Sequence, residues 1–181
     1  MNLRIQFVSL ALLLIWTVAV QAQALNSGAQ AIALNANLAE SISITLSANT
    51  VNFTLTSGSA NNAGSGPVTA TTAWTLRTGR TLRLYAYFAS SAAALTNGAG
   101  NNIPSADFSV SDNGGAYRTI TNTVAFGGAA AGRQLYRVGI NAANRNSTHV
   151  DTMLFNINLS TIPQLPAGTY TGVLNIQAQA I

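Results

Sequence analysis

PVTATTAWTLRTGRTLRLYAYF, residues 67–88, decides the fold. In its second half Leu82, Leu84, Ala86 and Phe88 form one row, and Arg83, Tyr85 and Tyr87 form the opposite row. Trp74 and Leu76 are in phase in the first half. An alternation of period two describes a strand with one face inward. Between the halves, RTGR (77–80) reads as a tight turn, because Gly79 tolerates positive φ. The stretch predicts a hairpin of 67–76 and 81–88.

The pattern continues on both sides. Strands are predicted at VNFTLT (51–56), DFSVS (107–111), YRTITNTVAF (117–126), QLYRVGI (134–140), DTMLFNINLS (151–160) and TYTGVLNIQAQAI (169–181). SGSANNAGSG (57–66), SSAAALTNGAGNNIPS (90–105), GGAAAG (127–132) and NAANRNSTH (141–149) read as loops. Beyond the amino-terminal region no window carries a helical period, and the Ala-rich patches are short and flanked by Gly. About nine strands at roughly 8–14-residue spacing predict an all-β fold. The expected form is an antiparallel Ig-like or Greek-key β-sandwich of about 7–10 strands. A membrane barrel fits less well, since it needs strands of ~9–11 residues with aromatic girdles at both rims.

The chain opens differently. A basic start at Arg4 precedes the apolar run Ile5–Val20, and VQA and AQA then supply small residues at signal-peptidase spacing. Residues 1–24 are expected to be a signal peptide cleaved after Ala22 or Ala24. The run is short of the ~20 residues of a spanning helix, which disfavours an uncleaved anchor. Two parts should remain: an extended segment, 25–39, and the sandwich domain, 40–181. Localisation is expected to be exported, from periplasm to cell surface.

Residues 30–48 alternate over an unusual length. Ile32, Leu34, Ala36, Leu38, Ile42, Ile44 and Leu46 share one row, which Glu40 interrupts. One unbroken strand of that length would far exceed the usual ~5–6 residues. The segment therefore reads as two pieces, with 41–47 the first strand of the domain. Glu40 marks the joint, since an unpaired carboxylate is costly to bury. The row Ile32, Leu34, Ala36 and Leu38 either folds back on its own domain or is donated to a neighbouring copy as an added strand. Donation head to tail does not close and builds a filament.

From residue 25 onward the chain has seven arginines, four acids and His149, with neither lysine nor cysteine, so the net charge is 7 − 4 = +3. The arginines are scattered, apart from Arg77, Arg80 and Arg83, and do not form the basic stripe that nucleic acid requires. Nucleic acid is not an expected partner. Without cysteine, stability must come from burial and ladder hydrogen bonds. No nucleophile motif or phosphate loop is present, so no catalytic, cofactor-binding or metal-binding residues are expected and the chain does not read as an enzyme. A hydrolase is the weakest reading. Asp112 in DNGG and Asp107 read as turn residues, and His149 and Asp151 as a solvated pair where a strand begins. A lone His lacks the further ligands of a metal site.

Tyr85 and Tyr87, with Arg83, lie opposite their strand's core row. An exposed aromatic strip stacks on sugar rings, so glycan binding is the alternative function: a secreted carbohydrate-binding module. The competing reading buries this face.

The export signal, the alternating extension 30–38, the cysteine-free Thr/Asn/Gly-rich sandwich and the stretch Pro166-Ala167-Gly168-Thr169-Tyr170 resemble fimbrial subunits of the bacterial chaperone–usher type and related surface domains. Many such subunits end on an aromatic residue, whereas this chain ends QAQAI. The resemblance implies assembly with other copies or related subunits, a periplasmic chaperone and an outer-membrane usher. The expected function is that of an exported structural or adhesive surface protein assembling through its N-terminal strand. Host or matrix glycans are further expected partners.

Overall fold

The computed structural model describes residues 29–181; the expected signal peptide lies outside the described residues. The chain divides after Asn37. Residues 29–37 have no regular secondary structure and are exposed throughout.

Residues 38–181 form an all-β antiparallel sandwich. The larger sheet is built from β1 (Ser41–Leu46), β2 (Asn62–Ala63), β3 (Val68–Thr75), β7 (Phe108–Asp112), β8 (Arg118–Thr119) and β10 (Asn146–Ile157), and the smaller from β4 (Thr81–Tyr87), β9 (Gly132–Gly139) and β11 (Asn175–Ala180). A two-residue ladder joins β5 (Leu95–Thr96) to β6 (Asn102–Ile103). The larger sheet runs β1-β3-β10-β7-β8, with β2 also on β10, and the smaller runs β11-β4-β9. Seven strands have five residues or more, within the expected range.

Alternation sets the inner faces. Val68, Ala70 and Trp74 of β3 and Met153, Phe155 and Ile157 of β10 are buried; Leu82, Leu84 and Ala86 of β4 face them from the smaller sheet. Phe108 is the hub of the main core. Its ring meets Phe88 at 5.1 Å and Phe53 at 5.9 Å, both edge-on, and lies tilted against Phe155 at 5.7 Å. The outward row of β3 and β10 includes Thr69, Thr71, Thr75, Thr148 and Thr152. These hydroxyls solvate the outer face without charge, which accounts for part of the low charge content.

The hairpin expected over 67–88 does not form. β3 pairs with β1 and β10, whereas β4 pairs with β11 and β9 in the other sheet. The turn at 77–80 carries the chain across the sandwich. Trp74, Leu76, Leu82 and Ile140 thereby meet as a second core cluster, approached from both sheets. A flat hairpin would have put these side chains on one face.

Three strands are shorter than expected. Residues 51–56 make one isolated bridge, Phe53 to Gly64, although Val51, Phe53 and Leu55 still pack on the core. From 117–126 the ladder keeps Arg118–Thr119; from 169–181 it keeps Asn175–Ala180. β10, by contrast, begins at Asn146 inside an expected loop.

Candidate functional site

Two features of the sandwich offer themselves to a partner: an open seam on one side and a polar region between the sheets.

The seam lies between β1 and β11, the edge strands of the two sheets. Ser47 N–H donates to Thr69 O at 2.9 Å, which sets the ladder phase of β1. Residues 41, 43 and 45 therefore bond to β3, and Ile42, Ile44 and Leu46 turn their backbone groups outward. Thr81 and Ile181 exchange both bonds, at 2.8 and 3.1 Å, so on β11 the outward groups belong to Ile176, Ala178 and Ala180. No hydrogen-bond partner meets these outward groups among the described residues. The side chains of Ile42, Ile44, Leu174, Ile176, Ala178 and Ala180 pack on the core while staying partly exposed. Unpaired edges above incompletely covered apolar side chains are what an added strand would use.

Glu40 stands at the head of β1. It accepts from the Arg77 backbone N–H at 2.8 Å and from Arg80 Nη2 at 3.0 Å. The Arg80 hydrogen bond, followed by the Arg77 N–H, lowers its pKa, and the same bond raises that of Arg80. β1 begins one residue after Glu40, at Ser41.

The candidate donor residues are exposed. Ile32 is 83% exposed, Leu34 90% and Leu38 83%; Ala36 is likewise exposed. None belongs to a strand.

Between the sheets lies a cluster that the sequence reading left in solvent. Because β10 starts early, His149 and Asp151 share its inward face. Asp151 is fully buried, and His149 Nε2 lies 3.0 Å from its Oδ1. A carboxylate can only accept, so Nε2 carries the hydrogen. Asn113 Nδ2 donates to the same oxygen at 3.1 Å, and the imidazole stacks on the Tyr136 ring at 3.6 Å. Burial, then the Asp151 charge, raises the pKa of the Tyr136 hydroxyl. Asp151, expected to be solvated, is therefore interior, whereas His149 keeps its side chain 29% exposed with one face covered by Tyr136 of β9. Among the described residues, no three His, Asp or Glu side chains are placed to hold a metal ion.

Asp112, expected to cap its turn, does so with its backbone: Gly115 N–H donates to the Asp112 carbonyl at 2.8 Å. Asn113 and Gly114 take φ of 49° and 74°, as a type I′ turn requires. The Asp112 carboxylate instead enters the interior, with Oδ1 shielded from solvent and unpaired. Burial, then the Asp151 charge, pushes its pKa up. Asp107 is buried too, accepting from Thr161 Oγ1 at 2.7 Å.

The aromatic strip does not stand open. Tyr85 is 4% exposed beneath Phe126, whose ring meets it edge-on at 5.9 Å. Tyr87 lies tilted against the same ring at 5.8 Å and gives its hydroxyl hydrogen to Gln177 Oε1 at 2.7 Å. Arg83 is half-buried beside them. Gly127, at φ +77°, makes this cover possible, since a Cβ there would strike Tyr87 and the Phe88 carbonyl. These tyrosines therefore leave no stacking platform for a sugar.

The class defined by this geometry is an antiparallel β-sandwich whose β1–β11 side is left open. No family model, curated protein or solved structure matches the chain.

Proposed function

We propose that the protein is an exported structural or adhesive surface subunit that assembles copy to copy through its N-terminal segment. The observation that carries the proposal is the alternating apolar row Ile32, Leu34, Ala36 and Leu38, held in solvent without a strand partner. Burying each large side chain is worth about 1.5–3 kcal/mol, a gain the row forgoes as it stands. The unpaired edges at Ile42, Ile44 and Leu46 and at Ile176, Ala178 and Ala180 suit a strand of this pattern. The sequence resemblance to chaperone–usher subunits supports the same reading, with other copies or related subunits, a periplasmic chaperone and an outer-membrane usher as partners.

Electron microscopy of purified protein beginning at residue 25, beside protein beginning at residue 39, tests this reading. The longer form should give filaments and the shorter none. A synthetic peptide of residues 29–40 should raise the melting temperature of the shorter form. Filaments from the shorter form, or monodisperse monomers from the longer, refute the reading.

A further inference from the structure

On the side away from the seam, where β8 and β9 are the edge strands, the sandwich has a pocket of about 510 Å³ including its open mouth. Val110 and Leu135 supply apolar wall, Gly115 comes from the type I′ turn, and Asp112, Arg118 and Arg133 supply charge. Leu135 faces in because β9 is irregular where Leu84 and Tyr85 pair with it.

Three observations bear on what fits there. First, Arg118 and Arg133 line the same pocket, and burial, then the Arg118 charge, lowers the Arg133 pKa. Neither meets a carboxylate among the described residues, whose ion pairs involve Glu40 and Asp151. Two uncompensated guanidiniums at a pocket mouth favour a planar anion, taken by paired N–H donors. Second, Arg133 is fixed by donating from Nη1 to the Thr119 carbonyl at 2.7 Å, so its fork is held in place before any ligand arrives. Third, Asp112 adds a carboxylate to the same wall; its Oδ1 is closed off from solvent, so a ligand meets the group through its other oxygen, which has no hydrogen-bond partner among the described residues. A bare anion would be repelled by that carboxylate and would leave it without a donor. A ligand that carries hydroxyl donors at one end and a carboxylate at the other satisfies both ends, and the apolar wall suits the C–H face of a pyranose ring.

We propose that this pocket binds a sugar acid, its carboxylate taken by Arg118 and Arg133 and its ring hydroxyls by Asp112. The proposal stands independently of the assembly reading, since neither β1, β11 nor the N-terminal segment lines the pocket.

Titration of the isotope-labelled protein with galacturonate, glucuronate, N-acetylneuraminate, galactose, acetate and inorganic phosphate, read by amide chemical shifts, tests it. At least one sugar acid should saturate the shifts of Gly115, Ala116 and Gln134. Galactose, acetate and phosphate should each bind at least tenfold more weakly. Arg133→Gln should weaken binding at least tenfold; Arg118→Gln should do the same, and because Arg118 is exposed this variant keeps the test intact if Arg133→Gln fails to fold. Asp112→Asn should remove the preference for a sugar acid over acetate. The proposal is overturned by the absence of saturable shifts up to roughly 10 mM, where a millimolar site would fill. Acetate or phosphate binding as well as the sugar acids, or undiminished affinity in Arg118→Gln, overturns it equally.

Discussion

Leu34→Asp examines the assembly reading at a single side chain. Leu34 is 90% exposed and has no strand partner. Its replacement should leave the stability of the monomer within about 0.5 kcal/mol of the original. In a polymer the same side chain would fill a pocket of the next copy. Losing a buried Leu forfeits about 2 kcal/mol, and a carboxylate in its place adds a desolvation cost. The concentration at which polymers appear should therefore rise at least about 30-fold, the equivalent of 2 kcal/mol. Asn35→Asp is the matched control, since it places the same charge on the opposite row and should shift that concentration far less. Sedimentation across a concentration series, with thermal melts of the monomer, reads both quantities. The reasoning is refuted if Leu34→Asp polymerises at the original concentration, or if Asn35→Asp is as damaging.

Other consequences concern the sandwich itself. Phe108→Ala should cost about 3–5 kcal/mol in denaturant unfolding, because it leaves a cavity where Phe53, Phe88 and Phe155 converge; Phe108→Leu should cost clearly less. Asp112 has a raised folded pKa, so its stabilising contribution is complete below its unfolded pKa and is lost as pH rises through the folded value. Asp112→Asn should therefore be more stable than the original at neutral pH, with the difference shrinking in melts at acidic pH. Gly127→Ala forces a positive φ on a residue with a Cβ and pushes Tyr87 aside; it should destabilise by about 1–3 kcal/mol and increase the solvent quenching of tyrosine fluorescence as Phe126 leaves Tyr85.

Alternation made the inward rows of β1, β4, β9 and β10 readable, because side-chain period depends on a few neighbouring residues. It could not tell which sheet a strand joins, as β3 and β4 show: both bury one row, and the crossing between them depends on contacts with Ile140. Whether Tyr85 is open or covered stayed undecided in the sequence for a related reason. Its cover comes from Phe126, beyond a run of glycines whose composition reads as slack but whose missing Cβ atoms permit close packing. The interior cluster at His149 and Asp151 lay hidden because Asn-Arg-Asn-Ser at 144–147 looks like a turn. Thr148 and Val150, both β-branched, were the signal that the strand starts sooner. The Arg118–Arg133 pocket left no local trace, since its walls come from stretches well separated along the chain.

The crossing at Arg77–Arg80 makes the order of synthesis disagree with the order of closure. β3 and β4 are made one after the other, yet Trp74 pairs with Ser147 and Leu82 with Val138 and Ala180. Contacts of such long sequence separation slow folding, so β4 has no ladder neighbour until residues past 132 are present. During that interval a strongly apolar, β-prone stretch is open to mispairing, and an escort that shields it would act earlier, and on a different strand, than one that merely covers the finished seam.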